Sequence, residues 1–178
     1  MDEVNELKLG FFKTHEKVTL PVFATKQSAC FDLSYQCWGK THYSGHTKEN
    51  GTFERLLVPH GQITLTPGDR AMIPTGLIMD IPLGFSLRVH ARSGLALKHG
   101  LVLVNSEGII DSDYVQELFL LMMNISHTNM VIPNGERIAQ GELVRQESYE
   151  FEELLKQPKK KTSRKGGMGS TGTKAPTS

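Results

Sequence analysis

Phe85-Ser86-Leu87-Arg88-Val89-His90 alternates apolar and polar residues without a break. Successive side chains of a strand point to opposite faces, so this pattern predicts a half-buried β-strand. The chain on either side is written the same way. Upstream, Ile63-Thr64-Leu65-Thr66 alternates and is stopped by Pro67-Gly68-Asp69. Ala71-Met72-Ile73 and Leu77-Ile78-Met79-Asp80-Ile81 follow, punctuated by Pro74, Gly76, Pro82 and Gly84. Further upstream, Leu7 to Phe12 opens a β-rich run. Downstream, Leu118-Phe119-Leu120-Leu121-Met122-Met123 is continuously apolar, as expected of a strand buried on both faces. Met130-Val131-Ile132 meets a Pro133-Asn134-Gly135 turn, and Ile138 to Val144 continues beyond it. Short strands separated by turn signals predict an all-β sandwich or barrel. Only Ser93 to His99 and Glu150 to Lys156 read as helix-like.

The chain has 178 residues, which suits one domain, or one domain plus a tail. Its 38% hydrophobic and 22% charged content is that of a soluble globular chain, and no window approaches the ~18 continuous apolar residues of a membrane span. The start, Met1-Asp2-Glu3, is acidic, so neither a signal nor a transit peptide is expected. Cys30 and Cys37 are too few for a disulfide framework and are expected as free thiols in a reducing compartment. The expected location is cytoplasmic, or host-cell cytoplasm for a viral protein.

Charge divides the chain. From Pro158 onward there are six basic residues and no acid, so the 20 basic side chains leave 14 against 19 acidic ones in the first 157 residues, a balance of −5. A mildly acidic body, 1–157, is therefore expected to carry a flexible Gly/Ser/Thr/Lys-rich tail, 158–178, with too little apolar surface to order by itself. Within the body, 38–55 is polar and Gly-containing and reads as an inserted surface loop. Cys37, His42 and His46 fall in or beside it, but their spacing fits no closed zinc set.

Four short stretches carry chemistry. Asn105-Ser106-Glu107-Gly108-Ile109-Ile110-Asp111-Ser112-Asp113-Tyr114 reads as a β-hairpin offering backbone groups to a flat polar ligand, with Asp111 at its rim beside Tyr114. Arg92-Ser93-Gly94 leads from a strand into a short helix, where a guanidinium, a hydroxyl and free N–H groups make an anion site. Arg137 and Gln140 are polar residues beside an apolar strand. Arg164 to Gly172 has four glycines, two hydroxyls and two cations that can wrap a triphosphate with backbone N–H groups. It is not a P-loop, because Thr173 stands where the lysine must be and no strand precedes it.

Taken in order with Asp32-Leu33, these stretches resemble the five motifs of the homotrimeric dUTP pyrophosphatases, the dUTPases, over roughly Leu7 to Gly172. The resemblance implies a jelly-roll-like β-barrel or sandwich, a homotrimer with active sites shared between subunits, and Mg²⁺-dependent hydrolysis of dUTP to dUMP and pyrophosphate, which keeps uracil out of DNA. It implies that Asp111 activates the attacking water. Asn105, with Gly108, Ile109 and Ile110, would read the uracil edge, and Tyr114 would stack under the deoxyribose. Arg92, Ser93 and Gly94 would hold phosphates, with Gln140 and Arg137 beside them. Asp32 would act through metal-bound waters, not as a direct ligand. Arg164, Met168, Gly169, Ser170 and Thr171 would close over the substrate.

Three positions depart from the family pattern: Ala91 replaces the usual Pro, Gln116 the usual Gly, and Met168 the tail's usual aromatic. The related dCTP deaminases carry a catalytic Glu where this chain has Leu121, three residues before Asn124. A non-catalytic regulatory protein on the same fold would not need Asp111, Tyr114 and Ser93 together. A nucleic-acid module built on Lys159 to Lys161 is disfavoured by the acidic body and by the scarcity of aromatics beside the basic run. Aromatic stacking on a base contributes about 1–3 kcal/mol, more than a thioether supplies. Met168→Phe should therefore hold or raise dUTP turnover under steady-state assay, and a large loss would remove Met168 from the base-covering role.

Overall fold

The alternation of the opening stretch survives in part: Leu87 and Val89 are buried and Arg88 and His90 half-buried, but Ser86 is buried as well. The computed structural model describes residues 7–38, 42–47, 53–58 and 61–163. In chain order the strands are β1 (Gly10–Lys13), β2 (Val22–Phe23), β3 (Phe31–Ser34), β4 (His42–Thr47), β5 (Phe53–Val58), β6 (Gln62–Leu65), β7 (Arg70–Asp80) and β8 (Phe85–Ala91). The helix α1 (Ser93–His99) follows, then β9 (Leu101–Leu103), β10 (Glu107–Ile110), β11 (Glu117–Asn124), β12 (Met130–Pro133) and β13 (Arg137–Arg145). They form a sheet ordered β1-β7-β11-β9, a sheet ordered β10-β8-β13-β3-β2, and the pairs β12-β6 and β4-β5. Leu87 and Val89 of β8 join Leu33, Ile138 and Ala139 from the same sheet, Ile73, Leu118, Leu120 and Met122 from the other, and Ile63 and Ile132 from the β12-β6 pair in one hydrophobic core. The result is a jelly-roll-like all-β sandwich with one short helix, and no closed barrel is present among the described residues.

Four expectations are corrected. The punctuation at Pro74 and Gly76 does not divide two strands, since β7 runs through both. Glu117 and Phe119 of β11 face Ile78 and Pro74 with a register shift between them. Around this irregularity side chains supply the missing bonds: the Thr75 hydroxyl donates to the Leu118 carbonyl at 2.7 Å, and the Gly76 N–H donates to Glu117 Oε1 at 2.9 Å. Gly76 sits at φ +70°, a conformation that side-chain-bearing residues rarely adopt. Next, β11 is buried on one face only, because Leu118, Leu120 and Met122 are inward while Leu121 is 40% exposed. The 38–55 segment is not a plain loop: β4 and β5 pair antiparallel from His42 opposite Val58 to Thr47 opposite Phe53. Finally, Glu150 to Lys156 forms no helix. Isolated helices of fewer than ~12–15 residues are marginal, and Phe151 and Leu155 are almost fully exposed.

The body closes at Glu147, and Ser148–Ser178 is a second unit whose described part, 148–163, carries no helix or strand. Among the described residues no helix is long and apolar enough to cross a membrane.

One buried polar residue ties the body together. Asn124 is fully buried at the end of β11. Its amide donates to the carbonyls of Leu65 and Thr128 at 2.9 and 2.8 Å, and its carbonyl accepts from the N–H and hydroxyl of Ser126. Each buried group left unpaired costs about 1–3 kcal/mol, so Asn124→Ala should destabilise the body by roughly 2–4 kcal/mol in urea unfolding. A loss below about 1 kcal/mol would contradict this role.

Candidate active site

Two cavities collect the motif residues. The first arises because the chain changes sheets. After β9, which pairs with β11, Ser106 takes a left-handed turn at φ +61° and β10 pairs instead with β8. The 105–114 segment is therefore not a hairpin, as its sequence suggested, but a strand-to-strand crossing between the two sheets. The gap it leaves is a cavity of about 330 Å³ lined by Asn105, Gly108, Ile109, Ile110, Asp111 and Tyr114, with an apolar wall that includes Leu103, Leu118, Leu120 and Leu121. β10 is the edge strand of its sheet, so it presents backbone donors and acceptors not used by a further strand. Gly108 is buried, and a Cβ there would stand 3.1 Å from Val89 Cβ, which keeps the backbone close to the sheet. The Tyr114 hydroxyl donates to the Glu117 carbonyl at 2.9 Å. That bond anchors the side chain, which lines the cavity. Asp111 is exposed, with its carbonyl accepting the Tyr114 N–H at 3.1 Å.

The second cavity, about 630 Å³, is lined by Ser28, Cys30, Asp32, Arg92, Ser93, Gly94, Lys98, His99, Arg137 and Gln140, among others. Asp32, its side chain only 11% exposed, holds two guanidiniums: Arg92 Nε lies 3.3 Å from Oδ1 and Arg137 Nη1 lies 2.8 Å from Oδ2. Arg92 Nη1 also donates to the Arg137 carbonyl at 2.7 Å, and Gln140 Nε2 donates to the Ala91 carbonyl at 3.3 Å. The first bond inside α1 runs from the Ala96 N–H to the Arg92 carbonyl, so the N–H groups of Ser93, Gly94 and Leu95 have no partner within the helix. A Cβ on Gly94 would meet nothing within 4 Å, so this side of the helix start opens to the cavity. With Arg92, Arg137 and Lys98 against the one carboxylate of Asp32, the cavity lining carries an excess of positive charge.

The structure thus brings Asn105, Gly108, Ile109, Ile110, Asp111 and Tyr114 together in one place, and Asp32, Arg92, Ser93, Gly94, Arg137 and Gln140 in another. The two cavities have no lining residue in common. Arg164, Met168, Gly169, Ser170 and Thr171 lie outside the described residues. Sequence reading missed Lys98 and His99. Their signal was present, since Lys98 is four residues after Gly94, and His99 four after Leu95, on a helix whose start was already recognised.

Known proteins place the chain. The family model for dUTPase matches residues 57–172. The deoxyuridine 5'-triphosphate nucleotidohydrolase of Roseobacter denitrificans is 38% identical over 157 residues, covering 87% of this chain and 88% of that protein. The protein of the same name from Nautilia profundicola is 35% identical over 170 residues, covering 93% and 99%. Among solved structures, a point mutant of the dUTPase of Staphylococcus bacteriophage 80alpha with dUpNHpp shares the fold at TM-score 0.70 and 20% identity, covering 93% of this chain and 99% of that one. A family match over most of the chain, and relatives more than a third identical along nearly all of it, agree with the two cavities: the chain belongs to the dUTPase family.

Proposed function

We propose that this protein hydrolyses dUTP to dUMP and pyrophosphate, with the base and sugar in the cavity of Asn105 and Tyr114 and the phosphates in the cavity of Arg92. The observation that carries this reading is the pairing of an apolar, base-sized cavity having a carboxylate at its mouth with a separate guanidinium-lined anion site. Asn105 and the exposed edge of β10 hydrogen-bond the polar edge of uracil. The ring of Tyr114 packs under the deoxyribose and leaves no room for a 2′-hydroxyl. Asp111 accepts a proton from a water that attacks the α-phosphorus. The bond between that phosphorus and the oxygen bridging to the β-phosphate breaks, and pyrophosphate leaves. Arg92, the N–H groups of Ser93 and Gly94, and Gln140 take up the charge of the phosphate chain. Arg137 supports Arg92 through Asp32 and its own carbonyl.

Mg²⁺ fits the donor set as a cation that arrives on the triphosphate. Asp32 has each oxygen engaged by one arginine and keeps a further lone pair on each, which would accept hydrogen bonds from waters on the cation. When bound, the cation neutralises phosphate charge and fixes the conformation of the chain. The tail beyond residue 163, with Arg164, Met168, Gly169, Ser170 and Thr171, closes over the nucleotide and excludes water at the moment of reaction. The two cavities, having no residue in common, serve one substrate when the first cavity of one chain faces the second of a neighbour, and a closed ring of three satisfies every copy equally. Deamination of dCTP is disfavoured because Leu121, where a carboxylate would be needed, is part of the apolar wall of the first cavity.

Purified protein incubated with each dNTP, with and without Mg²⁺, should release pyrophosphate from dUTP preferentially and only with the cation. Equal release from all dNTPs, or ammonia release from dCTP, would overturn the reading. Asp111→Asn keeps shape and removes basicity, so turnover should fall by at least ~10²-fold while a non-hydrolysable dUTP analogue still binds. Near-normal turnover in that variant would remove Asp111 from its role.

A further inference from the structure

The outer face of the five-stranded sheet gathers a second kind of chemistry. Gln140 of β13 pairs with His90 of β8 on one side and with Asp32 of β3 on the other, and Gly141 pairs with Phe31. Glu142 follows Gln140 by two residues on β13, which puts it on the face that carries His90, and Cys30 stands one residue before β3. Residues far apart in sequence are thereby brought together: the Cys30 sulfur, a His90 ring nitrogen and a Glu142 carboxylate oxygen all lie within 4.8 Å of one another. We propose that Cys30, His90 and Glu142 form a binding site for one borderline-soft divalent transition-metal ion of the Zn²⁺ class.

Four observations support this. First, the spacing is close to that of a coordination sphere. Tetrahedral ligands at Zn–S of about 2.3 Å and Zn–N or Zn–O of about 2.0–2.1 Å stand roughly 3.3–3.6 Å apart. His90 Nε2 already stands 3.1 Å from Glu142 Oε1. The three side chains are half-buried, so small rotations close the rest. Second, the histidine has an outer partner. Its Nδ1 faces Glu107 Oε1 at 3.8 Å, close enough that a small rotation would put a carboxylate behind the ligating imidazole. Glu107 is in turn held by Arg88 at 3.2 Å. Third, the ligands sit on or beside three hydrogen-bonded strands rather than on loops, so the sheet holds their backbones in place. Fourth, the ligand set selects the ion. One thiolate, one imidazole and one carboxylate suit Zn²⁺ or Co²⁺ and reject Mg²⁺, which demands an all-oxygen octahedron. The site adjoins the second cavity, whose lining includes Cys30, but selects a different kind of ion from the Mg²⁺ of a triphosphate.

Burial raises the Cys30 thiol above its usual range and the Glu142 charge adds to the effect, so the metal-free protein carries the thiol form. Metal binding replaces that proton, which passes to the buffer as the metal–sulfur bond forms. The bound ion joins β3, β8 and β13 across one face. Three protein ligands leave a fourth position for water.

The test needs no nucleotide, so its failure is independent of the hydrolase reading. Full-length protein stripped with chelator is titrated with Zn²⁺ by calorimetry and with Co²⁺ by absorption, beside Cys30→Ser, His90→Gln and Glu142→Gln. Wild type should bind one ion per chain, show a thiolate-to-cobalt charge-transfer band, and melt at higher temperature with Zn²⁺. Cys30→Ser should lose the band, and each variant should bind Zn²⁺ at least tenfold more weakly. Circular dichroism and metal-free melting check that each variant folds, and with three ligands on separate strands, two folded variants suffice. A charge-transfer band that persists in Cys30→Ser, or Zn²⁺ binding no tighter in wild type than in the variants, would overturn the site.

Discussion

Gln140 lies opposite His90 on one side and opposite Asp32 on the other, and this register of β13 between β8 and β3 is the constraint on which the rest depends. It puts Ile138, Ala139 and Gly141 into the core and Gln140 and Glu142 on the outer face. A slip of one residue would exchange the two sets. Gly141 helps to prevent that slip, because a Cβ there would stand 2.9 Å from the Phe31 ring. From the same register follow the distance from Asp32 to Arg137, the position of Arg92 just past the end of β8, and the meeting of Cys30, His90 and Glu142.

Asp32 is the centre of the charge network in the second cavity. Its two oxygens hold Arg92 and Arg137 in place, so in the proposed reaction the guanidiniums would meet a phosphate already oriented. That is preorganisation, in which the ordering cost is met by the fold before the ligand arrives. The first cavity works by a different means. Its wall is apolar, its polar groups are few, and its shape comes from a segment that crosses from one sheet to the other and back. One cavity suits a base and a sugar, and the other suits charge.

Much of this was legible in the sequence because the relevant signals are local. Ser93 to His99 is the helix, and strict alternation from Phe85 to His90 is β8. The motif residues of the first cavity lie between Asn105 and Tyr114, whereas those of the second come from three separate stretches around Asp32, Arg92 and Arg137. What was not legible depends on partners distant in sequence. Pro74 and Gly76 look like strand breakers until Thr75 and Glu117 supply the bonds that the irregularity removes. The run from Leu118 to Met123 is apolar on both faces, yet only one face meets the core of its own chain. The sheet change after Asn105 looks like a hairpin because a turn gives no sign of which strand comes next to it. In the 38–55 insert, the polar composition hid a strand pair whose second strand extends through Leu56, Leu57 and Val58, beyond the polar stretch. Cys30, His90 and Glu142 are too far apart in the chain for any spacing rule to connect them.

In the proposed assembly, one catalytic site draws its base cavity and its phosphate cavity from different chains. Subunit exchange between two inactive proteins tests it most directly: one carries Asp111→Asn with its phosphate cavity intact, the other Arg92→Ala with its base cavity intact. Differently tagged chains that co-purify establish that exchange has occurred. In an equal mixture, a cyclic assembly with sites shared between neighbours has about one site in four built from two intact halves, so roughly a quarter of wild-type dUTP turnover should return. Mixed assemblies that co-purify yet remain inactive would show that each site lies within a single chain, and would contradict the account.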